Sequence, residues 1–417
     1  MWDLRRTCKV IHSKTFDYFA RTAFRAVVVR MGYSGLCKVA AISQHPQFAA
    51  KVQTILCYGH ELHDEGLEAK EYDEAEDMIE SSDVTPEICR LLQEQIRLTN
   101  LGQMDRSFVE RSATDGIMLA LAFQRFTNLK ELLMPCVNLQ HEAKYIRRKH
   151  HGEGPSTDHT FSILLSSAAH AILRPKTIRV VHYSPSATIE AVLLSTLSMP
   201  NEILCCLSEL RELQLRLQTR SSAYRNPSTW KSHLATFLSR CPQLRYLTLS
   251  FLNDWEDTES VISAVATQVH FPRLEELSLG GIRCSGGDLC RFLQSHPDLR
   301  KLDLDGFDIT GSASYASILK MLSNTHTRLQ NFSSCQIAQN SFRVYLETLG
   351  KIGSNPYRPS SSKEPEDFFD DFEQVHYPHI FTAQIEEWEG VQQRLALMSE
   401  DLVVSHISYH PLYDSEQ

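Results

Sequence analysis

One pattern, Leu-x-x-Leu-x-Leu, occurs three times in close succession: Leu244-Arg245-Tyr246-Leu247-Thr248-Leu249, Leu274-Glu275-Glu276-Leu277-Ser278-Leu279 and Leu299-Arg300-Lys301-Leu302-Asp303-Leu304. A further copy begins at Leu210, and weaker copies begin at Leu129 and Leu329. From residue 210 onward, the first leucines of the copies are separated by 34, 30, 25 and 30 residues. Alternating side chains point to opposite faces of a β-strand, so each copy predicts a strand with one apolar side.

A helical pattern precedes each of these strands. Trp230, Leu234, Phe237 and Leu238 recur at the spacing of one helix face. Similar patterns occupy residues 262–269, 289–293 and 315–322. Three of the predicted helices are followed by a proline that lies two residues before the next strand: Pro242, Pro272 and Pro297. Proline cannot continue a helix and biases its predecessor towards extended backbone, so these residues separate helix from strand.

The repeating unit is therefore one strand and one helix in about 25–34 residues. Neither element can bury its apolar side alone, and stacking of the units would bury all of them. This arrangement resembles a leucine-rich repeat solenoid. We predict an α/β fold, an open and curved leucine-rich-repeat-like solenoid with irregular repeats, of about seven strand–helix units between residues 34 and 350. The alternative is an ordinary α/β domain whose strands are rich in leucine.

The predicted solenoid contains two less regular copies and two interruptions. A divergent first unit comprises a helix at 36–42 and a strand at 52–57, and another strand is predicted at 177–183, with either Val180 or Val181 pointing inward. An acidic insertion, about residues 61–85, carries ten carboxylates between Glu61 and Glu80, and helices are predicted after it at 88–98 and 117–126. A basic loop is predicted at about 144–156.

Beyond residue 350 the repeat is lost. We predict that residues 351–417 are an acidic, partly disordered tail that caps the last repeat, whose open end otherwise exposes core. Within the tail, Ile385, Trp388, Val391 and Leu395 have helical spacing, and residues 402–407 have the composition of a strand.

Composition and motifs favour a non-catalytic protein. The formal net charge of -9 argues against nucleic acid or an anionic membrane as partner. Eleven scattered cysteines in a long chain favour a reduced compartment, cytoplasmic and/or nuclear. No phosphate-binding or nucleophile-elbow motif occurs, and His60-Glu61-Leu62-His63 lacks the spacing of a helical zinc site. Gly280-Gly281 and Gly286-Gly287 are interpreted as turns on either side of residues 282–285. We therefore expect no catalytic residues, no cofactor and no metal.

The N-terminus carries a second resemblance. Leu4-Arg5-Arg6-Thr7-Cys8-Lys9, followed by Phe16, Tyr18 and Phe19, resembles the last helix of an F-box as found in fungal F-box proteins with leucine-rich repeats. The resemblance implies that residues 1–33 are the remnant of this helix and a connecting segment, with Leu4, Thr7 and Cys8 in adaptor contact. A full F-box has about three helices, and the match begins near the third. Binding to a Skp-family adaptor and a cullin is thus expected if an F-box is restored.

Three functional hypotheses follow. The first, implied by the resemblance, is a substrate-recognition subunit of an SCF-type cullin ubiquitin ligase, in which the repeats hold a protein substrate. The second is a leucine-rich-repeat scaffold or inhibitor protein without a ubiquitin role. The third is an unrecognised hydrolase, because the members of a catalytic triad need not be close in sequence.

If the leucines point inward, the intervening residues line the concave face of the predicted solenoid. These residues are Glu212, Gln214, Arg216, Tyr246, Thr248, Ser250, Glu276, Ser278, Lys301, Asp303 and Asp305. An adjacent predicted loop carries Phe251, Leu252 and Trp255, and the alternative for Trp255 is packing under the next helix. Aromatic and arginine side chains dominate binding hot spots, so Tyr246, Trp255 and Arg216 are the expected anchors. The two aspartates favour a basic segment of the partner.

Overall fold

The computed structural model of the chain describes residues 9–58, 113–135, 157–181, 188–198, 200–218, 229–252, 258–346, 382–385, 395–396, 398–399 and 402–408. The chain divides into two compact units, Met1–Arg216 and Leu217–Gln417. The predicted acidic insertion, the basic loop and the helix at 88–98 lie outside the described residues.

Unit 1 alternates helices with strands. Its helices are α1 (Lys9–Phe24), α2 (Tyr33–Gln44), α3 (Pro46–Ala49), α4 (Thr114–Phe123), α5 (Thr157–His170), α6 (Leu193–Leu197) and α7 (Asn201–Cys206). Its strands are β1 (Ala26–Arg30), β2 (Thr54–Tyr58), β3 (Glu131–Pro135), β4 (Thr177–Val181), β5 (Ile189–Glu190) and, at the unit boundary, β6 (Glu212–Gln218). Strands β1, β2, β3, β4 and β6 pair in that order, all in parallel.

Equivalent apolar residues stack across the unit 1 strands. Val27, Ile55, Leu132, Ile178 and Leu213 are paired successively in register, and all five are buried. Helices α2, α4 and α5 pack side by side in the same chain order. The open choice at the fourth strand is resolved, because the fully buried residue there is Val180.

The parallel sheet of unit 1 begins closer to the N-terminus than the first strand predicted from the sequence, at residues 52–57. Within residues 1–33, interpreted from the sequence as an F-box remnant and a connecting segment, the structure has helix α1 and the first parallel strand, β1. Helix α1 is attached through aromatic contacts on α3: the Phe48 ring lies 5.4 Å from that of Phe16 and 4.2 Å from that of Phe24, between ring centroids. Two helical residues therefore contribute to internal packing.

Unit 2 continues the alternation of strand and helix. Its helices are α8 (Thr229–Ser239), α9 (Val261–Gln268), α10 (Gly286–Gln294) and α11 (Tyr315–Thr325). Its strands are β7 (Tyr246–Leu252), β8 (Glu276–Ser285), β9 (Lys301–Thr310), β10 (Asn331–Gln339), β11 (Phe342–Leu346), β12 (Thr382–Ile385) and β13 (Leu402–Ser408). The predicted helices at 230–238, 262–269, 289–293 and 315–322 correspond to α8 through α11.

Strands β7 to β10 are parallel neighbours in chain order, as the repeat predicts. Two rows of inward side chains cross them in register. The first row is Leu247, Leu277, Leu302 and Phe332, and the second is Leu249, Leu279, Leu304 and Ser334. All eight are buried. In the weakest copy, Ser334 replaces leucine, and the Tyr315 hydroxyl of α11 faces it from within the core.

A tight turn connects each helix of unit 2 to the following strand. The N–H of the first leucine donates to the carbonyl oxygen three residues earlier: Leu244 to Cys241 (3.1 Å), Leu274 to Phe271 (3.3 Å), Leu299 to His296 (3.3 Å) and Leu329 to His326 (3.0 Å). Pro242, Pro272 and Pro297 each occupy the second position of one of these turns, where the fixed φ of proline fits. The spacing of the prolines therefore indicates the positions of the turns.

Two of the turns bury a histidine. The His296 Nε2 accepts a hydrogen bond from the Phe271 N–H (3.2 Å), and its Nδ1 donates to the Phe292 carbonyl (2.8 Å). The His326 Nε2 lies 3.0 Å from the Leu293 carbonyl oxygen. Burial lowers the pKa of His296 to about 4, and the nearby His270 and His326 act in the same direction. Each ring thereby joins one strand–helix unit to its predecessor as a neutral group.

We expect unit 2 to lose stability in acid because of His296. Its pKa is depressed from 6.5 in the unfolded chain to about 4, so its stabilising contribution is full above pH 6.5 and falls as the pH drops towards 4. Compared with neutral pH, the free energy of unfolding should be lower by about 2 kcal/mol at pH 5.

The variant His296→Gln keeps an acceptor for the Phe271 N–H. It should remove that part of the pH dependence in denaturant titrations at pH 7.5 and 5. The exposed neighbour provides the control, since His270→Gln should leave most of the slope. Equal slopes for wild type and His296→Gln would contradict the assignment.

Strands β8, β9 and β10 each bend at an equivalent position. Gly281, Gly306 and Gln336 have left-handed φ values of 65°, 59° and 53°, and the strands pair on both sides of them, for instance Gly280 with Asp305 and Ile282 with Phe307. The interpretation of Gly280-Gly281 and Gly286-Gly287 as turns on either side of residues 282–285 is wrong. The first pair lies inside β8, and the second pair begins α10. The bend lets side chains on both halves of each strand point into the core.

Of the residues that the structure describes beyond β10, three segments pair as strands. Strand β12 is antiparallel to the first half of β10, with Phe332 opposite Ile385, and β11 forms a hairpin with its end. Strand β13, in the region predicted as a strand, is antiparallel to β11. Ile385 was predicted to lie in a helix and instead lies in β12, because the edge of β10 offers backbone groups that a strand can pair with. Trp388 and Val391 lie outside the described residues.

A buried ion pair attaches the β10–β11 turn. The Asp308 carboxylate, fully buried, lies 3.2 Å from the Arg283 Nε and accepts a hydrogen bond from the Ser341 N–H (2.9 Å). The Arg283 Nη2 donates to the Ser341 Oγ (3.1 Å). Asn340 and Ser341 both have positive φ, as the two central residues of a type I′ hairpin turn require. Strands β8 and β9 and this turn are therefore joined at one point.

Candidate functional site

The candidate site is the solvent-facing side of the β7–β10 sheet, here called the unit 2 face. Three rows of side chains cross it in strand register. The rows are Tyr246, Glu276, Lys301 and Asn331; Thr248, Ser278, Asp303 and Ser333; and Ser250, Gly280, Asp305 and Cys335. Lys301, Asp305 and Asn331 are exposed, and the other residues of the three rows are half-buried. Because strand side chains alternate, this polar face lies opposite the leucine rows.

Two carboxylates stand on one strand at the centre of this face. Asp303 and Asp305 are two residues apart on β9, and the Ser278 Oγ donates to the Asp303 Oδ2 (3.1 Å). Desolvation of the Asp305 carboxyl group and then the charge of Asp303 raise the pKa of Asp305, whereas hydrogen bonds from Cys335 and the Gly306 N–H lower it. The side chains beside the pair are small on both neighbouring strands: Ser278 and Gly280 on β8, Ser333 and Cys335 on β10. The pair therefore presents negative charge on a shallow surface.

The predicted face residues of unit 1 lie on β6. Glu212, Gln214 and Arg216 are half-buried, between the buried leucines of that strand. The Glu212 carboxylate accepts a hydrogen bond from the Arg179 Nε at 2.5 Å, and this contact raises the pKa of Arg179. Glu212 is thus engaged by a residue of the neighbouring strand β4, a partner that the repeat pattern alone did not indicate.

The remaining predicted site residues lie in a strand rather than in the predicted loop, or lie outside the described residues. Phe251 and Leu252 belong to β7 and not to a loop, and Phe251 is buried with its ring centroid 5.9 Å from that of Trp230. Trp255 and the expected adaptor-contact residues Leu4, Thr7 and Cys8 lie outside the described residues. The prediction omitted Asn331, Ser333 and Cys335, although the alternation around the degraded copy at Leu329 indicates them.

The described residues can also be compared with the requirements of metal sites, reactive thiols and membrane-spanning helices. Among them, no group of His, Cys, Asp and Glu side chains is placed to hold a metal ion. Burial raises the pKa of the Cys57 and Cys284 thiols, and that of Cys206 to about 12, so these side chains stay protonated. Within the same residues, no helix has the length and apolar composition to cross a bilayer.

Part of the chain is similar to a known family of repeats. Residues 203–339 match the family model of the leucine-rich repeats of the FBD-associated F-box protein At5g56370. The matched range includes strands β6 to β10, which carry the predicted binding residues except Trp255. No curated protein sequence matches the chain. Over about a third of its length, the chain is therefore similar to leucine-rich repeats of an F-box protein, and the similarity indicates a protein-interaction module.

Proposed function

We propose that the chain is a non-catalytic protein-binding subunit that recognises a protein substrate for an SCF-type cullin ubiquitin ligase, in the ubiquitin–proteasome pathway. The observation that supports it is the polar face on parallel strands within a region similar to the repeats of an F-box protein. The strand–helix units would be irregular leucine-rich repeats, and residues before β1 would contribute to adaptor contact. A repeat scaffold or inhibitor without a ubiquitin role is the alternative.

The unit 2 face supports recognition of a basic segment. Asp303 and Asp305 supply two carboxylates whose mutual repulsion a Lys or Arg side chain of the partner would relieve. Tyr246, half-buried at one end of the first row, offers an aromatic surface of the kind found at hot spots. In unit 1, Arg216 of β6 is the proposed anchor, and Trp255 is proposed as the third.

The role of the unit 2 face is tested with a partner isolated by cross-linking to the purified chain and then titrated against variants. Tyr246→Ala and the double variant Asp303→Asn/Asp305→Asn should each weaken binding at least about fivefold, because each removes a central contact. Of the variants Arg216→Ala and Trp255→Ala, at least one should weaken binding by a similar factor. The control is Lys320→Ala, an exposed residue of helix α11. Unchanged affinity in all the face variants would place the partner elsewhere.

The ubiquitin role is tested separately with a purified Skp-family adaptor. Direct binding of the adaptor to the chain, lost when residues 1–24 are deleted, supports the ligase subunit. A chain that binds its protein partner through the unit 2 face and fails to bind the adaptor, even with an F-box fused before Met1, would favour the scaffold or inhibitor.

A further inference from the structure

The strand-start edge of unit 1 carries a row of cations. Five residues, one directly before each of β1, β2, β3, β4 and β6, are joined through backbone hydrogen bonds: Gln53 N–H to Arg25 O (2.9 Å), Lys130 to Gln53 (2.9 Å), Lys176 to Lys130 (2.7 Å) and Arg211 to Lys176 (2.8 Å). We call these five residues the basic edge. Four of them are Arg or Lys, and parallel strands lie about 4.8 Å apart, so the row extends about 19 Å.

Among the described residues of unit 1, the cations of the basic edge have no carboxylate partner. Arg25, Lys130 and Arg211 are exposed, and Lys176 is half-buried. The nearby carboxylates have other partners: Glu131 accepts from the Thr54 Oγ1 (2.7 Å), Glu212 from Arg179 (2.5 Å) and Glu209 from Arg174 (3.2 Å). In the part of the chain that the structure describes, no carboxylate forms an ion pair with the four cations of the row.

The same position in unit 2 is built differently. There the row is Arg245, Glu275, Arg300 and Gln330, joined by the same backbone hydrogen bonds. Its charges alternate, and the Arg245 guanidinium pairs with the Glu275 carboxylate. Like charges on neighbouring strands destabilise a sheet, so unit 1 retains a costly arrangement that unit 2 avoids. The fold itself therefore does not require a cation at this position.

We propose that the basic edge is a docking surface for an acidic, extended segment of a partner protein, distinct from the unit 2 face. About six residues of extended chain, at about 3.3 Å per residue, cover the row. A segment rich in Glu and Asp would neutralise the adjacent cations, and the remaining amide of Gln53 can hydrogen-bond to a carboxylate or a backbone carbonyl.

A protein segment suits the edge better than nucleic acid does. Proteins that bind single strands combine cations with aromatic side chains on which bases stack, and none of the five edge residues is aromatic. The absence of a stacking platform among these five residues therefore favours an acidic protein segment.

The test measures binding of a labelled octaglutamate peptide to the full chain by fluorescence anisotropy at low salt. The edge variant is Lys130→Gln/Lys176→Gln/Arg211→Gln, and the control variant, with the same charge change at exposed positions of unit 2, is Arg240→Gln/Arg273→Gln/Lys320→Gln. We expect the affinity to fall at least about tenfold in the edge variant and less than about twofold in the control. Circular dichroism confirms that both variants are folded.

Three outcomes would overturn the proposal. Absence of peptide binding to the wild-type chain at low salt would show that the row attracts no acidic segment. An equal loss of peptide affinity in both triple variants would show that the peptide responds to the net charge of the chain and not to the basic edge. Tighter binding of an octathymidylate than of the peptide, with the same loss in the edge variant, would make the edge a nucleic-acid surface. Lys130→Gln alone should weaken peptide binding by an intermediate factor, which separates a local contact from misfolding of the triple variant.

Discussion

Gly281→Ala is expected to lower the free energy of unfolding of unit 2 by at least about 3 kcal/mol. A Cβ at this position would lie 2.0 Å from the Phe251 carbonyl oxygen and 3.0 Å from its carbon. Those are backbone atoms of the neighbouring strand β7, so relief requires β7 and β8 to separate. The left-handed φ of 65° adds strain that only glycine avoids. Chemical denaturation followed by circular dichroism measures the loss.

Two variants at the equivalent bends separate the collision from the φ effect. Gly306 has φ 59°, but the nearest atom to an added Cβ is the Gly281 nitrogen at 3.5 Å, an ordinary contact. Gly306→Ala should therefore cost only about 1–2 kcal/mol, the left-handed penalty. Gln336 already occupies this conformation, so Gln336→Gly should leave stability unchanged or raise it by about 1 kcal/mol. If Gly281→Ala and Gly306→Ala cost the same, close contact with Phe251 is not what requires glycine.

Asp308→Ala is expected to cost about 3–5 kcal/mol of unfolding free energy, because it leaves the partly buried Arg283 guanidinium without its carboxylate. It also removes the acceptor of the Ser341 N–H, so the positive-φ turn between β10 and β11 loses a hydrogen bond that holds it to β9. We therefore expect β11 to become more accessible to hydrogen exchange than β8 and β9. Asp308→Asn, which keeps an oxygen for the Ser341 N–H, should cost less.

An exposed ion pair of the same unit provides the control. Asp298 and Arg328 pair at 2.8 Å, with 60% and 64% of their side-chain surfaces exposed. Asp298→Ala should cost less than about 1 kcal/mol, because solvent screens such a pair. Similar losses in Asp308→Ala and Asp298→Ala would mean that the buried carboxylate does not organise the turn.

Much of the local structure could be predicted from the chain. The leucine pattern indicated which residues of β7, β8 and β9 are buried, and the same alternation put Tyr246, Ser278 and Asp303 on the other side of the sheet. The turns after the helices were indicated by Pro242, Pro272 and Pro297. These features depend on the repeat of two residues in a strand and on the fixed φ of proline, both of which are properties of short segments.

The remaining features depend on which segments meet. Ile385 fits a helical pattern, yet it pairs with Phe332, since the edge of β10 supplies hydrogen-bonding groups that no local pattern encodes. The requirement for Gly281 arises from Phe251 on another strand, and Arg283, Asp308 and Ser341 meet only after three segments align. The basic edge joins residues as far apart as Arg25 and Arg211. Sequence alone determined the two faces of β7, β8 and β9. The parallel register of the folded sheet decided which side chains became neighbours, because contacts between distant residues exist only once the strands are paired.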